Sequence, residues 1–138
     1  MNTLHRIFDC RVLLAVPVAW LAWAVPATGA EAGRGPGEGF NLNLPLERGS
    51  TLKPYLAALD IALARIAAFA PDVVVLAAGL DIAVDDPFKG FAIATPDFTA
   101  IGKVIAGLGK PLLIVQEGGY PSPSLGANLA ALLSGLAA

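Results

Sequence analysis

Val73-Val74-Val75-Leu76-Ala77-Ala78-Gly79-Leu80-Asp81 decides the fold of this chain. The run is continuously apolar. Continuity, in place of alternation, marks a strand buried in a parallel sheet. A second run of the same kind follows at Leu112-Leu113-Ile114-Val115-Gln116-Glu117-Gly118-Gly119-Tyr120. Each run stops at a residue suited to chemistry, a carboxylate at Asp81 and a phenol at Tyr120. Ligands of open α/β sheets collect at the carboxyl ends of the strands. The two residues are therefore expected on one rim of one sheet.

The segments around these runs repeat with helical spacing. A helix is predicted over about Pro54 to Phe69, with a stripe of Leu56, Leu59, Leu63 and Ile66 and a stop at Pro71. Thr95-Pro96-Asp97 reads as a helix start, with Thr95 as N-cap and Pro96 at the first helical position. Phe98, Ile101, Ile105 and Leu108 form the buried face of that helix, and Gly107, Gly109 and Pro111 end it. Ser122-Pro123 can start a last helix with Leu125, Leu129, Leu132 and Leu136 on one side. Phe40 to Leu46 alternates like a short extended segment that Pro45 terminates. The order helix–strand–helix–strand–helix predicts a three-layer α/β fold, a parallel sheet flanked by helices with right-handed crossovers. Two or three strands cannot close such a sheet. At least one edge stays open, and self-association through that edge is expected.

With 138 residues, of which 56% are hydrophobic, the chain makes one domain or a piece of one and can bury a core. A net charge of −2 with 14% charged residues argues against nucleic acid or an anionic membrane surface as partner. The single cysteine, Cys10, closes no internal disulfide, and the single histidine, His5, leaves any metal site short of imidazole.

Residues 1–30 differ in character. Arg6 and Arg11 precede an uncharged stretch from Val12 to Ala30 that ends in the small residues Ala27-Thr28-Gly29-Ala30. This leader reads as a signal peptide or as an aberrant N-terminus. Pro17 and Pro26 interrupt it and argue against a membrane span. A cytoplasmic location is expected, with export as the alternative if the leader acts as a signal. Residues 31–39 form a glycine-rich linker, and 40–138 form the remaining domain. No clear strand precedes the linker, so its glycines do not make a dinucleotide loop.

Asp81 reads either as a metal ligand or electrostatic partner, or as a turn or cap acid. Tyr120 reads either as a donor to a developing oxyanion, where Gly118 and Gly119 let backbone come close, or as a packing tyrosine. Glu117 reads as a buried, hydrogen-bonded acid or loop anchor. Asp85 and Asp86 beside Pro87 read as turn formers. Asn41 and Asn43 read as residues bonding local backbone, and Arg65, Lys89, Lys103 and Lys110 as surface charge. The chain carries no P-loop, CxxC, HExxH or GxSxG pattern.

Taken together, several motifs carry a resemblance. Gly37-Glu38-Gly39-Phe40-Asn41-Leu42-Asn43-Leu44-Pro45-Leu46 comes first. Gly79-Leu80-Asp81 follows with Asp86-Pro87, then Gln116-Glu117-Gly118-Gly119-Tyr120 and Leu125-Gly126-Ala127-Asn128. Over roughly residues 36–138 the chain resembles the C-terminal part of the histone deacetylase superfamily, in its acetylpolyamine amidohydrolase-like branch. The resemblance implies an arginase-like α/β fold, a catalytic zinc, and hydrolysis of acetyl-lysine or of acetylated amines and polyamines. It implies that Asp81 is a zinc ligand, that Tyr120 polarises the acetyl carbonyl, and that Gly118 and Gly119 line the substrate channel. The superfamily's other zinc ligands lie in an Asp-x-His motif and its base in a tandem histidine pair, both N-terminal to the matched region. This chain has neither. It is therefore expected to be a deacetylase fragment, inactive in isolation and holding no zinc tightly. The alternative is a small non-catalytic α/β binding or interaction protein.

Overall fold

The structure, a computed structural model, describes residues 12–15 and 39–138. Its elements are β1 (Val12–Ala15), α1 (Leu52–Phe69), β2 (Val73–Ala78), α2 (Thr95–Ala106), β3 (Leu112–Gln116) and α3 (Leu125–Leu136). The strands form one parallel sheet in the order β1-β2-β3. Both apolar runs are strands, and the residues that end each run, Asp81 and Tyr120, stand in the loops beyond them.

β1 lies inside the segment read as a leader. Val12 pairs with Val73 and Ala15 with Leu76. Four uncharged apolar residues look the same in a signal sequence and in a buried strand, which explains the reading. The rest of residues 1–30, and the linker up to residue 38, lie outside the described residues.

The register assigns the sheet its faces. Leu76 stands beside Ile114 and Val74 beside Leu112, so these four share one face. Leu76 and Ala78 join Leu80, Ile82, Phe98, Ile101, Ile105 and Leu132 in the core. Leu56 and Leu59 of α1 pack against the same cluster, as do Leu125 and Leu129 of α3. All three helices thus serve one face. On the other, Leu113 and Val115 are 56% and 47% exposed. The described residues therefore supply a sheet and one helical layer of the expected three, a partial form of that fold. The continuous apolar run of β3 is suited to two-sided burial, and among the described residues only one of its sides is covered.

α2 and α3 meet backbone to backbone. A Cβ on Gly102 would stand 2.5 Å from the Leu132 carbonyl oxygen and 2.9 Å from the Gly135 Cα. A Cβ on Gly135 would run into the Thr99 carbonyl. Only glycine at both positions allows this approach.

A polar chain ties the starts of these helices to the loop after β2. The Thr95 hydroxyl donates to Asn128 Oδ1 (2.6 Å), and Asn128 Nδ2 donates to Ser124 Oγ (2.8 Å). Ser124 Oγ in turn donates to Asp85 Oδ1 (2.7 Å). Thr95 is therefore not the N-cap of α2. Ala94 takes that place, and the Asp97 carboxylate accepts its N–H at 2.9 Å. Likewise α3 starts at Leu125 with Ser124 as its cap, past the Ser122-Pro123 pair expected to open it. α1 begins at Leu52, with Pro54 in its first turn, and closes on Ala70 in the left-handed region. Residues 41–47 form no strand. Asn41 Nδ2 donates to Asn43 Oδ1 at 3.1 Å, and Arg65, expected as plain surface charge, bonds the Gly39 carbonyl.

Candidate active site

The two strand ends are stitched together beyond the regular sheet. Glu117 N–H donates to the Ala78 carbonyl (3.3 Å), and Leu80 N–H donates to the Gly118 carbonyl (3.0 Å). These bonds carry the loop after β3 across the loop after β2. Asp81 and Gly118 meet as a result. A Cβ on Gly118 would lie 2.5 Å from Asp81 Oδ1 and 2.8 Å from its Cγ. Gly119 adopts φ +115°, and a Cβ there would stand 2.8 Å from the Leu80 Cβ. Both glycines are required by close approach, the first to a carboxylate and the second to the strand-end backbone and its leucine.

Asp81 is the electrostatic anomaly of this rim. Its Oδ1 is buried and, among the described residues, accepts no hydrogen bond. Burial pushes its carboxyl above the ordinary range. A bond from its own backbone opposes that shift, and the charges of Asp86 and Glu117 add to it. Tyr55, on α1, feels the same site. Burial of its phenol, with the Asp81 charge second, pushes it up to about 12.

Asp86, expected as a turn former, is buried at 1% exposure and works across the loops. Its Oδ1 accepts from the Phe88 N–H (2.9 Å) and its Oδ2 from the Tyr120 N–H (3.2 Å). The rings of Phe88 and Tyr120 meet edge to face, with centroids 4.5 Å apart. Asp85 is also more than a turn residue. It accepts from the Ser124 hydroxyl and N–H, and these bonds hold its carboxyl below the ordinary range. Glu117, expected either as a buried, hydrogen-bonded acid or as a loop anchor, is exposed, which leaves the second reading. It stands on the strand-end crossover with only its backbone engaged there.

The rim thus brings Asp81, Gly118, Gly119 and Tyr120 onto adjoining loops, as the sequence led one to expect. Two participants were not read as such. Tyr55 carries a signal in retrospect, since it lies one helical turn before Leu59 on the apolar stripe and bears a polar tip. The local pattern gives Asp86 none, because nothing in an Asp-Asp-Pro sequence tells which acid turns inward, and only the resemblance marks the Asp86-Pro87 pair. Among the described residues, no three of the types His, Cys, Asp and Glu gather where they could hold a metal ion. Asp81 offers one orphaned oxygen, and these residues alone do not build a zinc site. Among them, too, no helix is long and apolar enough to cross a membrane.

This architecture has relatives. The histone deacetylase domain model matches residues 24–136, a span that starts ahead of the motifs and reaches into the supposed leader. The acetylpolyamine amidohydrolase of Mycoplana ramosa is 41% identical over 107 residues, covering 78% of this chain and 31% of the relative. Acetylpolyamine amidohydrolase 1 of Pseudomonas aeruginosa is 44% identical over 105 residues, covering 76% and 30%. The crystal structure of an acetylpolyamine aminohydrolase from Burkholderia pseudomallei matches with a TM-score of 0.80 at 37% identity, over 96% of this chain and 40% of that one. The chain belongs to the histone deacetylase family, and it spans less than a third of the length of these two curated relatives.

Proposed function

We propose that this chain is the C-terminal part of a zinc-dependent deacetylase that hydrolyses acetyl-lysine or acetylated amine and polyamine amides, and that it is inactive in isolation. The observation that carries the reading is the buried Asp81 Oδ1, which has no partner and rests against a glycine that only makes room for it. A carboxylate oxygen kept in that state is suited to a cation. In the family the cation is zinc, which supplies Lewis-acid chemistry at a carbonyl. Here Asp81 is one ligand of a set that another part of the enzyme must complete, so no catalytic step follows from this chain's residues alone.

What they contribute is a prepared rim. Tyr120 presents a hydroxyl that donates to an acyl oxygen as charge develops on it. Gly118 and Gly119 keep the wall beside it free of side chains, leaving room for an extended acyl chain. The names of the relatives favour acetylated polyamines as substrate class, and the same site chemistry serves acetyl-lysine. The open sheet edge and the exposed Leu113 and Val115 suit association with further chain of the same family, or with a second copy.

The test joins this chain to the N-terminal part of the Burkholderia pseudomallei relative and measures zinc content and acetylpolyamine hydrolysis. The chain alone is expected to bind zinc weakly and to turn nothing over. In the completed enzyme Asp81→Asn loses zinc and activity together. Tyr120→Phe keeps the zinc and loses roughly a hundred- to a thousandfold in kcat. Full zinc and full activity in Asp81→Asn, or near-normal turnover in Tyr120→Phe, would show that the residue's assigned role is wrong.

A further inference from the structure

Gly118 and Gly119 admit the carboxylate and the close crossing, but they leave Tyr120 poorly held. Two glycines in succession give the backbone its greatest freedom immediately before the phenol, and Gly119 sits at φ +115°, where no Cβ narrows its choices. The hold of the sheet ends at the bond between Leu80 and Gly118. A hydroxyl meant for an oxyanion has to stay within about 0.5 Å of its productive place. Something beyond Gly119 must therefore fix Tyr120. Pro121 restricts it from the C-terminal side, since the residue before a proline is confined to extended backbone. From the N-terminal side, the group that reaches it is Asp86.

We propose that Asp86 is the positioning residue for Tyr120: its buried carboxylate holds the Phe88 and Tyr120 backbone N–H groups at once and so sets both the phenol and the ring it leans on. This deepens the proposed function and rests on it. The geometry calls for a carboxylate in particular. Two backbone donors on segments 32 residues apart need two acceptor oxygens on one rigid fork, and neither an amide nor a hydroxyl offers that. A carboxylate at 1% exposure is costly unless hydrogen bonds compensate it. Asp86 stands where its two oxygens each meet a donor, whereas Asp81 keeps one oxygen bare. The edge-to-face contact of Phe88 with Tyr120 then transmits the alignment from backbone to rings. Asp86 touches no reacting atom and acts only through Tyr120.

The experiment is amide hydrogen exchange by NMR on the whole 138-residue chain and its D86N variant. Asparagine keeps one acceptor and turns an NH2 group toward the other N–H, so one bond is lost. Exchange at Tyr120 or Phe88 should rise roughly tenfold or more. The amides of Ile93 and Asn128, bonded to Ile82 and Ser124, should keep their rates. A uniform rise at all four sites would mark a merely structural role and overturn the proposal, as would no rise at all. If D86N does not fold, the unaltered chain decides. Tyr120 protected as well as Leu80 supports the proposal, and Tyr120 exchanging like open loop overturns it. In the completed enzyme, D86N should lower kcat roughly ten- to a hundredfold with KM unchanged, and should cost nothing further when added to Y120F. Additive losses overturn the proposal. A fully active Y120F enzyme instead overturns the proposed function beneath it, which keeps the two failures apart.

Discussion

At the seam between α2 and α3, Gly102 and Gly135 bring two backbones together, and the Thr99 hydroxyl beside them donates to the Ala131 carbonyl at 3.2 Å. At the rim of the strand ends, Gly118 makes the same kind of room for a carboxylate oxygen that has no partner. Glycine is used alike in both places, but what it admits differs. The seam admits packing, and its glycines stabilise the domain. The rim admits an uncompensated charge, and its glycine allows a cost to persist. Local costs of this kind concentrate at sites of function, where the surrounding fold sustains them.

The larger effect is expected at the seam. Gly135→Ala drives a methyl group into backbone, which cannot rotate away as a side chain can. The helices must part, at the upper end of the cost of overpacking, roughly 3 kcal/mol. The midpoint of urea unfolding should fall with little change in its slope. Unchanged stability would show that the seam slides freely and that its closeness contributes nothing.

At the rim the expected sign is opposite. Asp81→Asn should stabilise the isolated chain at neutral pH by up to about 1 kcal/mol, because it removes a half-buried charge one of whose oxygens is bare. The pH dependence gives the cause away. The folded state raises the Asp81 carboxyl above its ordinary value of 3.8, so it binds the proton more tightly than the unfolded chain does. Stability is therefore lost as pH rises from about 3.8 through the raised value, and the gain from the substitution should vanish in acid. A gain that persists below pH 3.8 would assign the effect to shape and not to charge.

A third test concerns Tyr55. Its phenol is pushed from 10.0 up to about 12, first by burial and then by the Asp81 charge. Between those values the folded chain keeps a proton that the unfolded chain has released, so stability should fall as pH climbs from 10 toward 12. Absorbance titration of Asp81→Asn should find Tyr55 ionising lower than in the parent chain, yet still above 10. No movement would place Tyr55 out of electrostatic reach of the rim. The smallest effect is expected at Lys89, a left-handed residue at φ +48° closing the turn after Asp86. Lys89→Gly should stabilise by no more than about 0.5 kcal/mol in thermal melts.

Most of the architecture was legible, and the gaps have a common cause. The runs at 73–78 and 112–116 announce themselves because parallel strands are apolar without interruption, and Pro71 and Pro111 frame them. The helix stripes are equally plain. The start of α2 was read one residue late because the Thr95 hydroxyl, a fine cap in isolation, is drawn to Asn128, 33 residues away. Asp86 does form the turn, through its bonds from Phe88 and Lys89, but its further partner Tyr120 lies 34 residues on and was missed for the same reason. β1 was not read as a strand, because four apolar residues have no period long enough to distinguish a strand from part of a leader. Local pattern shows which residues can bond and is silent on distant partners. The meeting of Asp81 with the glycines before Tyr120 was reachable in outline from two strand ends on one rim, whereas the roles given to these residues came only through the resemblance of separated motifs.

The chain from Thr95 through Asn128 and Ser124 to Asp85 has a direction. Each link donates toward the carboxylate and accepts from the side of α2, and the amide of Asn128 is the only member that could be turned end for end. Turned, it would set its NH2 against the Thr95 oxygen and its carbonyl against Ser124, whose proton Asp85 already holds. Asn128→Asp would keep an acceptor for the Thr95 hydroxyl but lose the donor to Ser124, and two carboxylates would then compete for one hydroxyl proton. One amide, correctly turned, therefore acts as the arrow that says which end of this thread is acidic, and no residue of equal size and opposite polarity can stand in for it.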